Sequence, residues 1–120
     1  MPNVFIIQEP VRRDLATGHM VPVMDFRKVL EYGNPIVCLP TGRVGLTPGP
    51  TVDALREKLK GYSADDYIVA VGDPTAMFAA AMVLGDLNNG RCNLLKWDKE
   101  SKRYICVQLD IHHRTRKGEN

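Results

Sequence analysis

Residues 67–90 leave the chain little choice of local structure. Tyr67-Ile68-Val69-Ala70-Val71 is rich in β-branched residues and runs into Gly72-Asp73-Pro74. Such a run reads as a strand. Asp73 is suited to cap a helix. Pro74 is suited to its first position, where a backbone N–H would have had no partner. Every residue from Ala76 to Leu84 is apolar, and Asn88-Asn89-Gly90 supplies a stop. The pattern predicts a helix from Pro74 to about Asn88, apolar almost all round. A helix of that kind is buried on several sides, which is hard to arrange in a monomer of 120 residues. Met77, Ala80, Ala81 and Leu84 are therefore candidates for self-association, with small alanines admitting a second backbone. The competing reading is that other segments of the same chain cover this helix.

A hairpin follows. Arg91 to Trp97 and Arg103 to Asp110 read as strands joined by Asp98-Lys99-Glu100-Ser101-Lys102. Ile105, Val107 and Leu109 alternate with Tyr104, Cys106 and Gln108, which predicts one buried face. Trp97 and Tyr104 flank the loop as a candidate cross-strand pair. Residues 111–120 read as a basic polar tail, so the expected single domain is 1–110.

Upstream, Asn3 to Gln8 reads as a strand covered on both faces, because it lacks alternation. Residues 9–20 read as loop, and Met20 to Met24 as a short edge strand containing Pro22. Asp25 is a candidate cap for a short helix reaching Tyr32 and ended by Gly33. Ile36 to Leu39 reads as a strand. Residues 40–50, with three prolines and three glycines, read as irregular. Thr51 is a candidate cap for a helix to about Lys60, with Val52, Leu55 and Leu59 on one face. The expected fold class is α+β (α/β-like). It has a mixed sheet of four to six strands and two or three helices mainly on one face. Its strand–helix–strand unit, 67–97, is followed by the C-terminal hairpin.

Composition narrows the function classes. The hydrophobic share is 44% and the charged share 25%, ordinary for a globular domain. No apolar run approaches the ~18 residues of a membrane span. Met-Pro-Asn-Val lacks the opening of a signal peptide, so the expected location is cytoplasmic. Cys38, Cys92 and Cys106 have neither C-x-x-C nor zinc-ligand spacing, and read as reduced, small hydrophobes. No metal site or cofactor is expected. His19, His112 and His113 lack the surrounding pattern of a catalytic set, and an enzyme is not the favoured reading.

Two further binding chemistries remain, one for an anion and one for nucleic acid. Gly72 and Thr75 sit where a strand meets a helix N-terminus, which offers N–H groups to an anion. Gly42 and Arg43 lie in a second glycine-containing loop. Neither stretch carries a nucleotide-binding fingerprint, and Asp73 would repel phosphate. Residues 1–90 carry a net charge of −2 and residues 91–120 a net charge of +4. Arg91, Lys96, Lys99, Lys102, Arg103, Arg114, Arg116 and Lys117, with Trp97 and Tyr104 interleaved, make up a candidate nucleic-acid surface. Asp98, Glu100 and Asp110 dilute it.

Asp66-Tyr67-Ile68-Val69-Ala70-Val71-Gly72-Asp73-Pro74, Asn88-Asn89-Gly90-Arg91, Leu94-Leu95-Lys96-Trp97-Asp98 and Tyr104 to Asp110 together resemble small proteins of tailed bacteriophages. Gln8-Glu9-Pro10 followed by Asp14-Leu15 adds to the likeness. The resemblance implies viral origin and an accessory role in the host cytoplasm, and it carries over no catalytic residue. The favoured expectation is a non-enzymatic accessory protein that binds a host or phage protein, or itself. Nucleic-acid binding through 91–110 and the tail is the alternative. Nucleotide or phosphate binding at 72–75 is the second.

Overall fold

The computed structural model describes residues 1–9, 11–22 and 26–115. Strand β1 (Asn3–Gln8) is an inner strand of its larger sheet, with five of its six residues buried. It pairs in parallel with β4 (Asn34–Leu39) on one side and β5 (Tyr67–Val69) on the other. β6 (Arg91–Asp98) extends the sheet in parallel beyond β5. β7 (Arg103–Asp110) closes it as an antiparallel hairpin partner of β6. The resulting order is β4-β1-β5-β6-β7. This is the expected mixed sheet and C-terminal hairpin.

The unbroken apolar character of β1 has the predicted cause. Phe5 and Ile7 face one core, with Leu55 and Leu59 of helix α1 (Gly49–Leu59) and Ala76, Ala80, Val83 and Leu84 of helix α2 (Pro74–Leu87). Val4 and Ile6 face the other, with Val69, Leu95, Tyr104 and Val29. Val29 comes from the 3-10 helix Phe26–Glu31. Two full helices thus cover one face of the sheet and a short one covers part of the other.

Local departures from the sequence reading have identifiable reasons. Val11–Arg13 (β2), read as loop, pairs antiparallel with Met20–Pro22 (β3) in a separate two-stranded hairpin. A turn in which Gly18 N–H donates to Asp14 O at 2.7 Å closes it. The candidate cap Asp25 and the end of the predicted strand at Met24 lie outside the described residues. α1 begins at Gly49, with Pro48 rather than Thr51 at the cap position and no side-chain cap bond; Pro50 in the first turn presets the helical φ. Strand β4 begins at Asn34, not Ile36, because Asn34 N–H finds Pro2 O at 2.9 Å.

The hairpin departs most. Ile105 and Leu109 are 38% and 48% exposed, so the face that alternation assigned to the core is half open. β7 is an edge strand, and α2 lies over its neighbours. Ile111, read as tail, continues the pairing. Its N–H donates to Gly90 O at 2.9 Å, and its side chain occupies the space a Cβ at Gly90 would need. Gly90 also has φ 74°, a left-handed value that favours glycine.

Helix α2 is not buried all round. Ala76, Ala80, Val83 and Leu84 are in the core, while Phe78 and Met82 are 74% and 76% exposed. Leu84→Ala should therefore cost about 2–5 kcal/mol. Met82→Ala, by contrast, should stay within about 0.5 kcal/mol of the wild type. Urea denaturation of the two variants checks this, and equal losses would contradict the placement of α2.

Candidate functional site

Two surfaces gather the residues that the sequence singled out. The first lies at the C-terminal ends of the parallel strands. The chain leaves β1 toward β4 and leaves β5 toward β6, so their loops diverge. Open α/β sheets hold ligands at such a point. The loops bearing Gly42 and Arg43 and those bearing Gly72 and Asp73 meet there around a crevice of about 420 Å³. Sequence reasoning treated the two as separate; the fold makes them neighbours.

Gln8, at the end of β1, holds them together and had no signal in the sequence. It is 5% exposed. Its Nε2 donates to Pro40 O at 2.9 Å and to Gly42 O at 2.8 Å. Its Oε1 accepts from Asp73 N–H at 2.7 Å. Gly72 passes so close to this side chain, at φ 119°, that a Cβ there would collide with it. Asp73 then uses both oxygens internally, accepting from Thr75 N–H at 2.8 Å and Val44 N–H at 3.2 Å.

The Thr75 amide, followed by that of Val44, holds the Asp73 carboxyl below the usual aspartate range. The helix terminus thus carries its own anion, and the Thr75 donor offered to phosphate is already spent. Arg43 is exposed at the crevice, and Thr75 is exposed but does not line it. Chemically, the crevice is a loop lock.

The second surface is apolar. α2 turns 100° per residue. Ala76, Ala80 and Leu84 therefore face the sheet, Met77 and Ala81 flank it toward the hairpin, and Phe78 and Met82 face outward. Between α2 and the hairpin runs a groove of about 240 Å³. Met77, Ala81 and Leu84 line it from the helix, and Leu94, Leu109 and Ile111 from the hairpin side. Of the four self-association candidates, Ala80 and Leu84 are buried and are spent on the protein's own core. Met77 is half-buried and Ala81 exposed. Phe78 and Met82, which sequence reasoning did not choose, are the open ones. An all-apolar helix gives no periodic cue to which side faces out.

The candidate nucleic-acid residues do not form one patch. Arg91 and Arg114 lie at one end of the hairpin, Lys99, Lys102 and Arg103 at the other. Eight-residue strands separate the ends by roughly 25 Å. Lys96 stands between them, exposed. Arg91 Nε pairs with Asp110 at 3.3 Å. Trp97 and Tyr104 do pair, edge to face with centroids 5.0 Å apart. Tyr104, however, is 5% exposed, and its ring is closed to a base. Arg116 and Lys117 lie outside the described residues.

Tyr62 and Cys38 are structural in setting. The Tyr62 hydroxyl donates to Asp66 O at 2.9 Å and accepts from Asn93 N–H at 3.1 Å, and burial pushes its pKa up to about 12. Burial pushes the Cys38 thiol up to about 11. All three cysteines are free thiols. Among the described residues, no three His, Cys, Asp or Glu side chains are placed to hold a metal ion. None of the described helices is long and apolar enough to cross a membrane.

Two predictions test the loop lock. Gln8→Ala strands the Asp73 amide and should lower stability by about 1–3 kcal/mol. It should also speed amide exchange at Val44 and Asp73; unchanged exchange would contradict the clamp. The folded pKa of Asp73 is depressed below its ordinary 3.8. Its contribution is therefore full above that value and is lost as pH falls through the lower folded value. Asp73→Asn should flatten the acid limb of the stability–pH curve, and a limb of unchanged steepness would count against the assignment.

No curated protein and no solved structure matches the chain. A protein-family model does match, described as Phage Pam3 gp32-like protein, over residues 2–111. The match takes in both sheets, both helices and both candidate surfaces. It bears out the resemblance to small phage proteins drawn from the strand, stop and hairpin segments, and the chain belongs to the Phage Pam3 gp32-like protein family.

Proposed function

We propose that this phage protein is a non-enzymatic accessory protein of the host cytoplasm that works through protein–protein contact, self-association included. The observation that carries the reading is the pair Phe78 and Met82, 74% and 76% exposed on the outer side of α2. They stand beside an apolar groove whose far wall is Leu109 and Ile111. Large apolar side chains grouped in this way, with a groove beside them, mark interaction surfaces on soluble proteins.

The other readings have less support. A phosphate at 72–75 would meet the Asp73 carboxylate in the place it needs. A nucleic acid on the hairpin would have to span two separated basic ends and would find one ring, Trp97, open to stacking.

Light scattering over a concentration series tests the self-association part. It should give a mass above the 13.4 kDa of one chain, and a strictly monomeric mass at the highest concentration contradicts it. Paired pull-downs from phage-infected host lysate test the α2 surface. The double variant Phe78→Asp, Met82→Asp should stay folded and lose proteins captured by the wild type. Identical capture by both would contradict a role for that surface.

A further inference from the structure

β7 is the outer strand of the sheet, and the direction of its backbone groups can be followed residue by residue. Antiparallel partners alternate between pairs that exchange hydrogen bonds and pairs that do not. Ile111 N–H donates to Gly90 O, one step beyond the Arg91↔Asp110 pair of the register. The odd-numbered residues of β7 therefore bond to β6. The N–H and C=O groups of Tyr104, Cys106, Gln108 and Asp110 point out of the sheet.

Contacts at the two ends agree. The Tyr32 hydroxyl reaches Tyr104 O at 2.7 Å from the outer side. His113 N–H donates to Asp110 O at 3.1 Å. The edge is capped at both ends by its own chain. Cys106 and Gln108, between the caps, are exposed. Among the described residues, none bonds to their outward backbone groups.

Exposed edges are commonly guarded by charge, proline or a bulge. The opposite edge strand, β4, contains Pro35. Residues 104–109 of β7 contain neither proline nor charge. Ile105, Val107 and Leu109 form an apolar row on the side of the sheet that carries α2, with Ile105 and Leu109 notably open.

We propose that β7 pairs antiparallel with β7 of a second copy about a two-fold axis at Val107, joining two five-stranded sheets into one. Residues opposite each other in such a pair share a face of the sheet. A two-fold axis normal to the sheet therefore centres on a residue, not between residues. Centring on Cys106 would need the carbonyl of Tyr104, and centring on Gln108 that of Asp110; both are already spent. Centring on Val107 pairs Cys106 with Gln108 of the second copy, and the reverse. It uses only the uncapped groups. It also sets Ile105 against Leu109, and Val107 against itself, which closes the apolar row. The contact is isologous, so it stops at a dimer. It leaves Phe78 and Met82, on the outer side of α2, for a different protein.

This inference rests on the self-association reading, and its test separates the two. Cys106→Pro removes an outward N–H without touching the β6 ladder, as proline is tolerated at such positions. It should weaken dimerisation on the order of tenfold to a hundredfold, for one backbone bond lost per copy. Val107→Cys, in a Cys92→Ser, Cys106→Ser background, places two thiols on a non-bonded pair with Cα atoms ~4.5 Å apart, within disulfide reach. Under oxidised glutathione it should form a covalent dimer, while Gln108→Cys in the same background should not. A wild type that is dimeric, with a folded Cys106→Pro variant of unchanged mass or no Val107→Cys cross-link, overturns the edge assignment alone. A wild type that is monomeric at every concentration overturns self-association with it. If Cys106→Pro does not fold, the cross-link decides.

Discussion

Burial of β1 on both faces is the constraint on which the rest of the structure depends. Phe5 and Ile7 need one apolar layer, Val4 and Ile6 another. The strand must therefore lie inside the sheet with elements on each side, and parallel neighbours supply this through crossovers. The crossovers place α1 and α2 together on one face. They also bring the end of β1 between the loops that follow β4 and β5, where Gln8 ties residues 40–42 to Asp73. The close approach of Gly72 belongs to that tie, while the cap that Asp73 places on α2 is local, through the Thr75 amide.

The same arrangement explains what stays open. Two helices suffice to cover β4, β1, β5 and part of β6, but β7 lies beyond them. The apolar side of the hairpin and the flank of α2 are left facing one another across a groove, with Leu109 and Ile111 on one wall and Met77 and Ala81 on the other. The presence of that groove links an ordinary α+β scaffold to a reading in which the protein's work is contact with other proteins.

Much of this was legible in the residues themselves. Both strands of the hairpin, the start of α2 at Pro74 and the double burial of Asn3–Gln8 follow from local composition and period. What was not legible came from tertiary placement. An all-apolar helix does not say which side faces out, so Ala80 and Leu84 read as self-association candidates, and the exposed pair Phe78 and Met82 did not. Alternation in 103–110 separated two faces but not which would be covered: Tyr104 is buried on one side, while Ile105 and Leu109 on the other stay open because α2 does not reach them. Gln8 reads as the last residue of a strand; its role appears only when residues 40–42 and 72–73, far apart in sequence, are brought to it.

The central claim, that this phage protein associates with itself through the β7 edge of its sheet, makes a residue-specific demand on the backbone. Amide exchange resolved by NMR at low and high protein concentration reads it directly. The amides of Cys106 and Gln108 should exchange freely when dilute and become protected as concentration rises, while Ile105 and Val107, already bonded to β6, change little. Concentration-independent exchange at Cys106 and Gln108 would contradict the account.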